Sequence, residues 1–412
     1  MQSRCGWQAV IAFCFETCTD PILLYSALVK KALEDKGTKV AFLNMTILER
    51  VLHMKGGVGE TSYANNSLLQ RKVIMKVKTI MEENLKLFMS NTISNGCWKI
   101  VDLGCSSGPN TLITIYNILN IIYKISLKLN HGTPMFQIYL NDLFENDFNV
   151  IFKLLPDFYQ IIQQERGDNV GACFINATPG NFYGRLFPHN YINIFHSSYC
   201  LRWLSQAPKD STKKAEPLNK GNIGVTRTSP QSVYPAYFEQ FQIDFKHFLK
   251  SRFEELALGG LMVLTFLSKE TKYEITSCEV LSTVLNEMVQ AGLVEETKLD
   301  LFNLPIYFPT IKEVRQVIKA EGSFTLQTMK TFKIGWDANL QEDIVDYVLD
   351  NNMKGEFIAK YLRAIFEPLL IVEFSENILD EIFSRFAKLV AKLMDLERLE
   401  YTNIVLFMTK DL

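Results

Sequence analysis

Residues 101–110, Val-Asp-Leu-Gly-Cys-Ser-Ser-Gly-Pro-Asn, constrain the fold more than any other stretch of this 412-residue chain. Ile100 to Leu103 is short and apolar, as a buried parallel strand is. It runs through Asp102 into two glycines that flank Cys105, Ser106 and Ser107. Glycine allows backbone conformations and close approaches that a side chain blocks, so this is a loop built to pass near a ligand. Asp102 then sits at a strand's carboxyl end, the edge where open α/β sheets bind their ligands. The Gly-x-x-x-Gly spacing matches neither the dinucleotide pattern G-x-G-x-x-G nor a phosphate-cradling P-loop, so neither NAD nor ATP is the first candidate.

What remains resembles the S-adenosyl-L-methionine (AdoMet) loop of class I methyltransferases, with an ordinary strand-to-helix turn as the other reading. The surroundings favour an α/β sheet. Apolar residues recur at helical spacing from Ser67 to Phe88, and Thr111 to Leu129 is again helical. Phe136 to Leu140, Ala172 to Asn176, Ile192 to Phe195 and Leu261 to Leu267 read as strands, and Tyr237 to Leu258 as an amphipathic helix broken at Gly259-Gly260. Alternation of strand and helix implies a parallel sheet. Glu274 to Gln290 and much of 311–395 read as helical, interrupting the sheet before a last strand at Thr402 to Met408. A helical cap over the carboxyl edge of the sheet, at about 270–395, accounts for them.

The chain carries 43 basic and 45 acidic residues and has no long basic face, which excludes binding nucleic acid through a phosphate-neutralising stripe. Its eight cysteines include no C-x-x-C pair, so a zinc site or a disulfide framework is not expected, and free thiols in a reducing cytoplasm are. No window approaches the roughly 20 apolar residues of a membrane span. Gln8 to Phe15 is apolar, but Glu16 and Asp20 follow with no small-residue cleavage site, which argues against a secretory signal. Residues 1–44 stand apart from a segment that starts naturally at Met45, and read either as a genuine extension or as a gene-model artefact.

Three clusters bear chemistry. Asp142 ends the second strand, where a carboxylate can accept both ribose hydroxyls of an adenosine; the alternative is a helix N-cap. His196 to Trp203 follows a short strand and faces the same edge. Adjacent His and Ser without a G-x-S-x-G elbow make a hydrolase a weak reading, while Tyr199 and Trp203 read either as walls for a flat substrate or as core. His53 to Gln70 combines a glycine turn with several hydrogen-bonding side chains, as a lid over a ligand would.

Together, His53–Gln70, Asp102–Thr111, Leu140-Asn141-Asp142-Leu143, Pro179–Pro188 and His196–Pro208 resemble the SABATH methyltransferases of plants, in consistent order from about residue 45 to the end. That family methylates small carboxylic acids or the nitrogens of xanthine alkaloids. The resemblance implies a class I, Rossmann-like, mostly parallel sheet with one antiparallel strand near the C-terminus and a helical cap. It implies AdoMet held by Tyr63, Ser67, Asp102, Cys105, Asn110, Asp142, Leu143, Asn181 and Phe182, with Asn181 replacing the family's usual serine. It implies a structural Mg2+ on Asn219, Asp300, Asn303 and the carbonyl of Phe302, oxygen donors that suit a hard cation. It also implies a homodimer and a small-molecule acceptor held by Gln70, Tyr199, Arg202, Trp203, Trp336 and Phe366. Asp157-Phe158-Tyr159 through Gly167-Asp168 and Thr331-Phe332-Lys333 look most like the caffeine-pathway N-methyltransferases, which makes xanthine N-methylation the first expectation. Gln70 with Trp203, and an arginine able to pair with a carboxylate, make carboxyl O-methylation the second. Asn181 and the N-terminal extension motivate a third, a non-catalytic relative. No catalytic base is expected where the acceptor is a carboxylate or a xanthine nitrogen already depleted of its proton, because proximity and orientation then accelerate the transfer.

Overall fold

The computed structural model describes residues 52–411 apart from 92–95, 131, 133, 168–171, 209–216, 273, 339 and 341–348. The expected extension over 1–44 lies outside the described residues. In chain order the elements are α1 (Leu68–Asn91), β1 (Cys97–Leu103), α2 (Pro109–Lys128), β2 (Met135–Asn141), α3 (Phe148–Phe152), α4 (Leu155–Arg166), β3 (Cys173–Ala177), β4 (Ile192–Ser198), α5 (Val233–Glu255) and β5 (Leu256–Ser268). There follow α6 (Ser277–Gln290), α7 (Glu296–Leu301), α8 (Ile311–Glu321), β6 (Thr325–Gly335), α9 (Asn351–Phe374), α10 (Leu379–Leu396) and β7 (Glu400–Thr409).

The strands form one seven-stranded sheet in the order β3-β2-β1-β4-β5-β7-β6. β1 to β5 pair in parallel, and β7 runs antiparallel to both of its neighbours, as expected. The chain winds from β1 outward to β3 and then returns to the other side of β1 with β4. The carboxyl ends of β1 and β4 therefore flank a topological switch point, with Asp102 beside His196 and Leu103 beside Ser197.

Both faces of the sheet are covered, which is why its central strands read as continuous apolar runs. Ile100, Ile194 and Val263 pack into one core with α1, α2, α6, α9 and α10. Val101, Phe195 and Leu264 pack into the other with α5 and α8. No described helix is long and apolar enough to cross a membrane.

Two expectations are corrected. Residues 325–335, read as part of a helical stretch, form the edge strand β6. Thr325, Thr328 and Thr331 are β-branched and favour a strand, but the strand is half-exposed and a register shift between Leu326 and Thr328 breaks its alternation. α8, next before it in the chain, lies on the α5 face of the sheet. Gly259-Gly260 does not end a helix either: α5 stops at Glu255, and both glycines lie inside β5 where its pairing with β4 shifts register. Gly259 has φ +68°, and a Cβ on Gly260 would lie 2.7 Å from the Leu256 side chain.

The segment from Leu52 to Ser67 lies against both the glycine loop and α9. Lys55 N–H donates to the Ala364 carbonyl (3.2 Å), and the Lys55 ammonium pairs with Glu367. Asn110 Nδ2 donates to the Ser67 carbonyl (2.8 Å) and Oγ (2.9 Å).

Candidate active site at the switch point

The loop after β1 is set by backbone. The N–H groups of Gly104 and Cys105 both donate to the Asn141 carbonyl at the end of β2 (2.8 and 2.9 Å). Gly104 has φ +72°, and a Cβ there would lie 2.2 Å from Cys200 Sγ, so only glycine fits. Asp142 completes the frame: its carboxylate accepts from the N–H of Ser106 (2.6 Å) and of Leu143 (2.8 Å). The cap of α3 is Asp147, so the N-cap reading of Asp142 falls away. Burial pushes the Asp142 carboxyl up to about 6, against the pull of those two N–H groups.

Asp102 is engaged in a way the sequence did not reveal. Its Oδ1 lies 2.7 Å from His196 Nδ1, and both side chains are buried. This pair fixes the relative position of the two switch-point strands, but its members are 94 residues apart and no local pattern marks it.

Two adjoining cavities open at this edge, sharing Tyr63, Gln70, Gly104, Ser106 and Ser198. The smaller is bordered by Asp102, Cys105 and Asn110, among others. The larger, of about 850 Å³ including its mouth, is bordered by Asp142, Leu143, Asn181 and Phe182 and by Tyr199, Arg202 and Trp203. Ser67 borders neither but holds Asn110. Asn181 fits with its extra bulk because its Oδ1 accepts from the Tyr183 N–H (2.9 Å).

Two expected acceptor residues do not reach the cavity. Phe366 stands behind its wall, edge-on to Trp203 with centroids 6.2 Å apart, while its neighbour Ile365 borders the space. One residue of helix is a rotation of about 100°, enough to exchange cavity for core. Trp336 is buried and stacks on Tyr401 (4.9 Å, 11°). Its backbone N–H donates to the Leu399 carbonyl, which ties it to the start of β7. Met54, Tyr183 and Ser205 border the larger cavity without having been singled out. All three lay within segments that the sequence had marked, Met54 in the lid, Tyr183 in Pro179–Pro188 and Ser205 in His196–Pro208, but nothing there set them apart from their neighbours.

The acceptor end is set by side chains. Tyr199, at φ +66°, donates its hydroxyl to Asn403 Oδ1 (2.5 Å), and burial raises its pKa, so it is neutral. The Arg202 guanidinium lies 5.3 Å from the Trp203 ring centroid and 5.6 Å from that of Phe308. Among the described residues no carboxylate pairs with it, and its buried Nε has no hydrogen-bond partner. Burial lowers its pKa from the ordinary value. Gln70 Oε1 is likewise buried and unpartnered.

Away from the cavities, Asp300 Oδ1 accepts from the Gly221 N–H (2.8 Å), which draws the 219–222 loop to the end of α7. The amide oxygens of Asn219 and Asn303 are buried and unpartnered. No three His, Cys, Asp or Glu side chains cluster as metal ligands among the described residues.

Residues 49–411 match the sequence family described as SAM dependent carboxyl methyltransferase. The chain belongs to this family, the SABATH methyltransferases. It is 40% identical over 374 residues to an S-adenosyl-L-methionine:benzoic acid/salicylic acid carboxyl methyltransferase of Petunia hybrida (89% of this chain, 99% of that one). It is equally 40% identical over 377 residues to a 3,7-dimethylxanthine N-methyltransferase of Coffea arabica (88% and 98%). A solved loganic acid methyltransferase with SAH superposes with TM-score 0.72 at 32% identity, covering 87% of this chain and 98% of that one. The SABATH chain described here is therefore an AdoMet-dependent methyltransferase.

Its site suits that donor. Gly104 borders both cavities with bare backbone, and Asp142 offers a carboxylate to a diol. The hydroxyl of Ser106, which borders both cavities, is buried and unpartnered.

Proposed function

We propose that the enzyme methylates a carboxylate oxygen of a small organic acid. The observation that carries this reading is the charge of the larger cavity: among the described residues that border it Arg202 is the one cation, which suits an acidic acceptor, and Asp142, held by two backbone N–H groups at the other end, the one carboxylate. A carboxylic acid is already ionised at neutral pH and attacks without a base. A purine N–H must lose its proton, and among the described residues at the acceptor end no carboxylate or histidine borders the cavity to take it. Bound AdoMet supplies an electrophilic methyl on a sulfonium that departs as a neutral thioether.

The residues of this chain do the rest by position. In this reading Asp142, Leu143, Asn181 and Phe182 hold the nucleoside, and Tyr63, Asp102, Cys105 and Asn110 hold the amino-acid end, with Ser67 steadying Asn110. Gln70 and Trp203 orient the acceptor carboxylate, Tyr199 closes the wall beside it, and the 52–67 segment excludes water. The unpartnered amide oxygens of Asn219 and Asn303, with Asp300 and the Phe302 carbonyl, form an oxygen set that would hold Mg2+ as a structural ion. A homodimer and a cytoplasmic location complete the proposal, on family resemblance alone.

Xanthine N-methylation is the second reading, favoured by the aromatic wall of Trp203 backed by Phe366, which suits a flat ring. Gln70→Glu separates the two. A second carboxylate beside an acid acceptor repels it, so kcat/KM for benzoate-like acids falls about 100-fold or more. Beside a purine N–H the same carboxylate can accept the proton, so undiminished transfer to xanthines by the variant, with no ester formed by the parent enzyme, would overturn the carboxylate reading.

A further inference from the structure

We infer that Arg202 reads a second anionic group on the acceptor, one that keeps its charge after methyl transfer, so that the preferred substrates are small dicarboxylates or acids with an equivalent anionic oxygen. This rests on the carboxylate reading above and narrows it. Arg202 is 4% exposed and borders the larger cavity, yet no carboxylate of the described residues pairs with it and its Nε has no partner. The groups that weigh most on its charge are Cys278, Tyr401, Tyr199 and Cys200, all held neutral by burial.

Arg252, a buried arginine beneath the sheet, also has an unpartnered Nε but differs in having a carboxylate beside it. It pairs with Glu255 at 2.8 Å and donates to the carbonyls of Phe182 and Gly184. A buried cation is normally paired in this way, because leaving water uncompensated is costly. Among the described residues Arg202 has no such partner, and it faces a ligand space.

The partner is not the carboxylate that reacts. Gln70 borders both cavities and so stands where the donor and acceptor ends meet, whereas Arg202 borders only the larger one and lies against Trp203 and Phe308. A guanidinium on the reacting carboxylate would also withdraw charge from the nucleophile and lose its partner on esterification. With the second group on Arg202 the step balances. A carboxylate oxygen bonds to the methyl carbon, the carbon–sulfur bond breaks, and its electron pair goes to sulfur. The dianion becomes a monoanionic monoester, no proton moves, and the ion pair persists.

The test uses matched acceptors of nearly equal shape: benzene-1,3- and 1,4-dicarboxylate against 3- and 4-acetylbenzoate. Their affinities for the full-length enzyme saturated with S-adenosylhomocysteine are measured by calorimetry, and ester formation is measured with labelled AdoMet. The expected result is about 10- to 100-fold tighter binding of a dicarboxylate than of its acetyl analogue, the range for a charged hydrogen bond. That preference disappears in both Arg202→Met and Arg202→Gln, the second keeping a polar side chain should the first disturb folding. Equal binding in the parent enzyme, a preference that survives both substitutions, or no binding of any of the four acids overturns the inference. Dicarboxylate-selective, Arg202-dependent binding without ester formation supports the role of Arg202 and removes the carboxylate-transfer reading instead.

Discussion

The donor end and the acceptor end of the cavity are built by different means. At the donor end, Gly104, Cys105, Ser106 and Leu143 contribute backbone N–H groups whose partners are the Asn141 carbonyl and the Asp142 carboxylate. At the acceptor end, Gln70, Tyr199, Arg202 and Trp203 contribute side chains, and the polar atoms of Gln70 and Arg202 are left open. A backbone-built end is indifferent to most substitutions nearby and holds one ligand. A side-chain end changes its ligand with one residue, which fits a family whose members at 40% identity carry names as different as carboxyl and xanthine methyltransferase.

The contrast can be broken most forcefully at Gly104. Gly104→Ala puts a Cβ 2.2 Å from Cys200 Sγ on a residue at φ +72°, so affinity for S-adenosylhomocysteine should fall by more than about 100-fold. The double variant with Cys200→Ala relieves the clash but not the φ strain and should recover only part of it. Full affinity in Gly104→Ala, measured by calorimetry, would show that the loop is not the donor seat.

Asp142→Asn comes next, with an expected loss of about 10- to 100-fold in the same titration, as for a charged hydrogen bond. Its pH dependence carries a sign. The folded carboxyl titrates at about 6 against an ordinary 3.8, so between these values the folded chain binds more protons than the unfolded one. Its contribution to stability is present below 3.8 and is lost as pH rises through 6. Ligand affinity runs the opposite way, since the ionised carboxylate accepts from a diol; it should weaken as pH falls below about 6 in the parent and stay flat in Asp142→Asn.

Smaller effects sharpen the acceptor side. Trp336→Phe should lower the melting temperature by several degrees, because the indole is buried against Tyr401, while leaving acceptor KM within about twofold. A KM change of tenfold or more with unchanged melting would return Trp336 to the acceptor site. Lys55→Met unties the 52–67 segment from Glu367 and should raise the dissociation rate of S-adenosylhomocysteine only a few-fold, the partner being a partly exposed lysine.

The same division explains what could be read from the sequence. The glycine loop, Asp142 and the central strands follow local rules, glycine where φ is positive and apolar runs where both faces are covered, so they were legible. β6 was not, because a half-exposed edge strand alternates weakly and a register shift interrupts it. The Asp102–His196 pair depends on which strand lies beside β1, and the exchange of Phe366 for Ile365 on a single rotation of α9. Residues that act through long-range neighbours leave no mark on their own segment. Resemblance located Tyr199, Arg202 and Trp203 beside the cavity, but it did not distinguish wall from backing.

The fate of the transferred methyl tests the central claim most directly. The enzyme is given methyl-labelled AdoMet with an equimolar mixture of small aromatic mono- and dicarboxylates and xanthines, and the products are treated with mild base. Transfer to a carboxylate predicts label released as methanol, an ester being base-labile. Label that stays bound to a purine through that treatment, with none released from the acids, contradicts it.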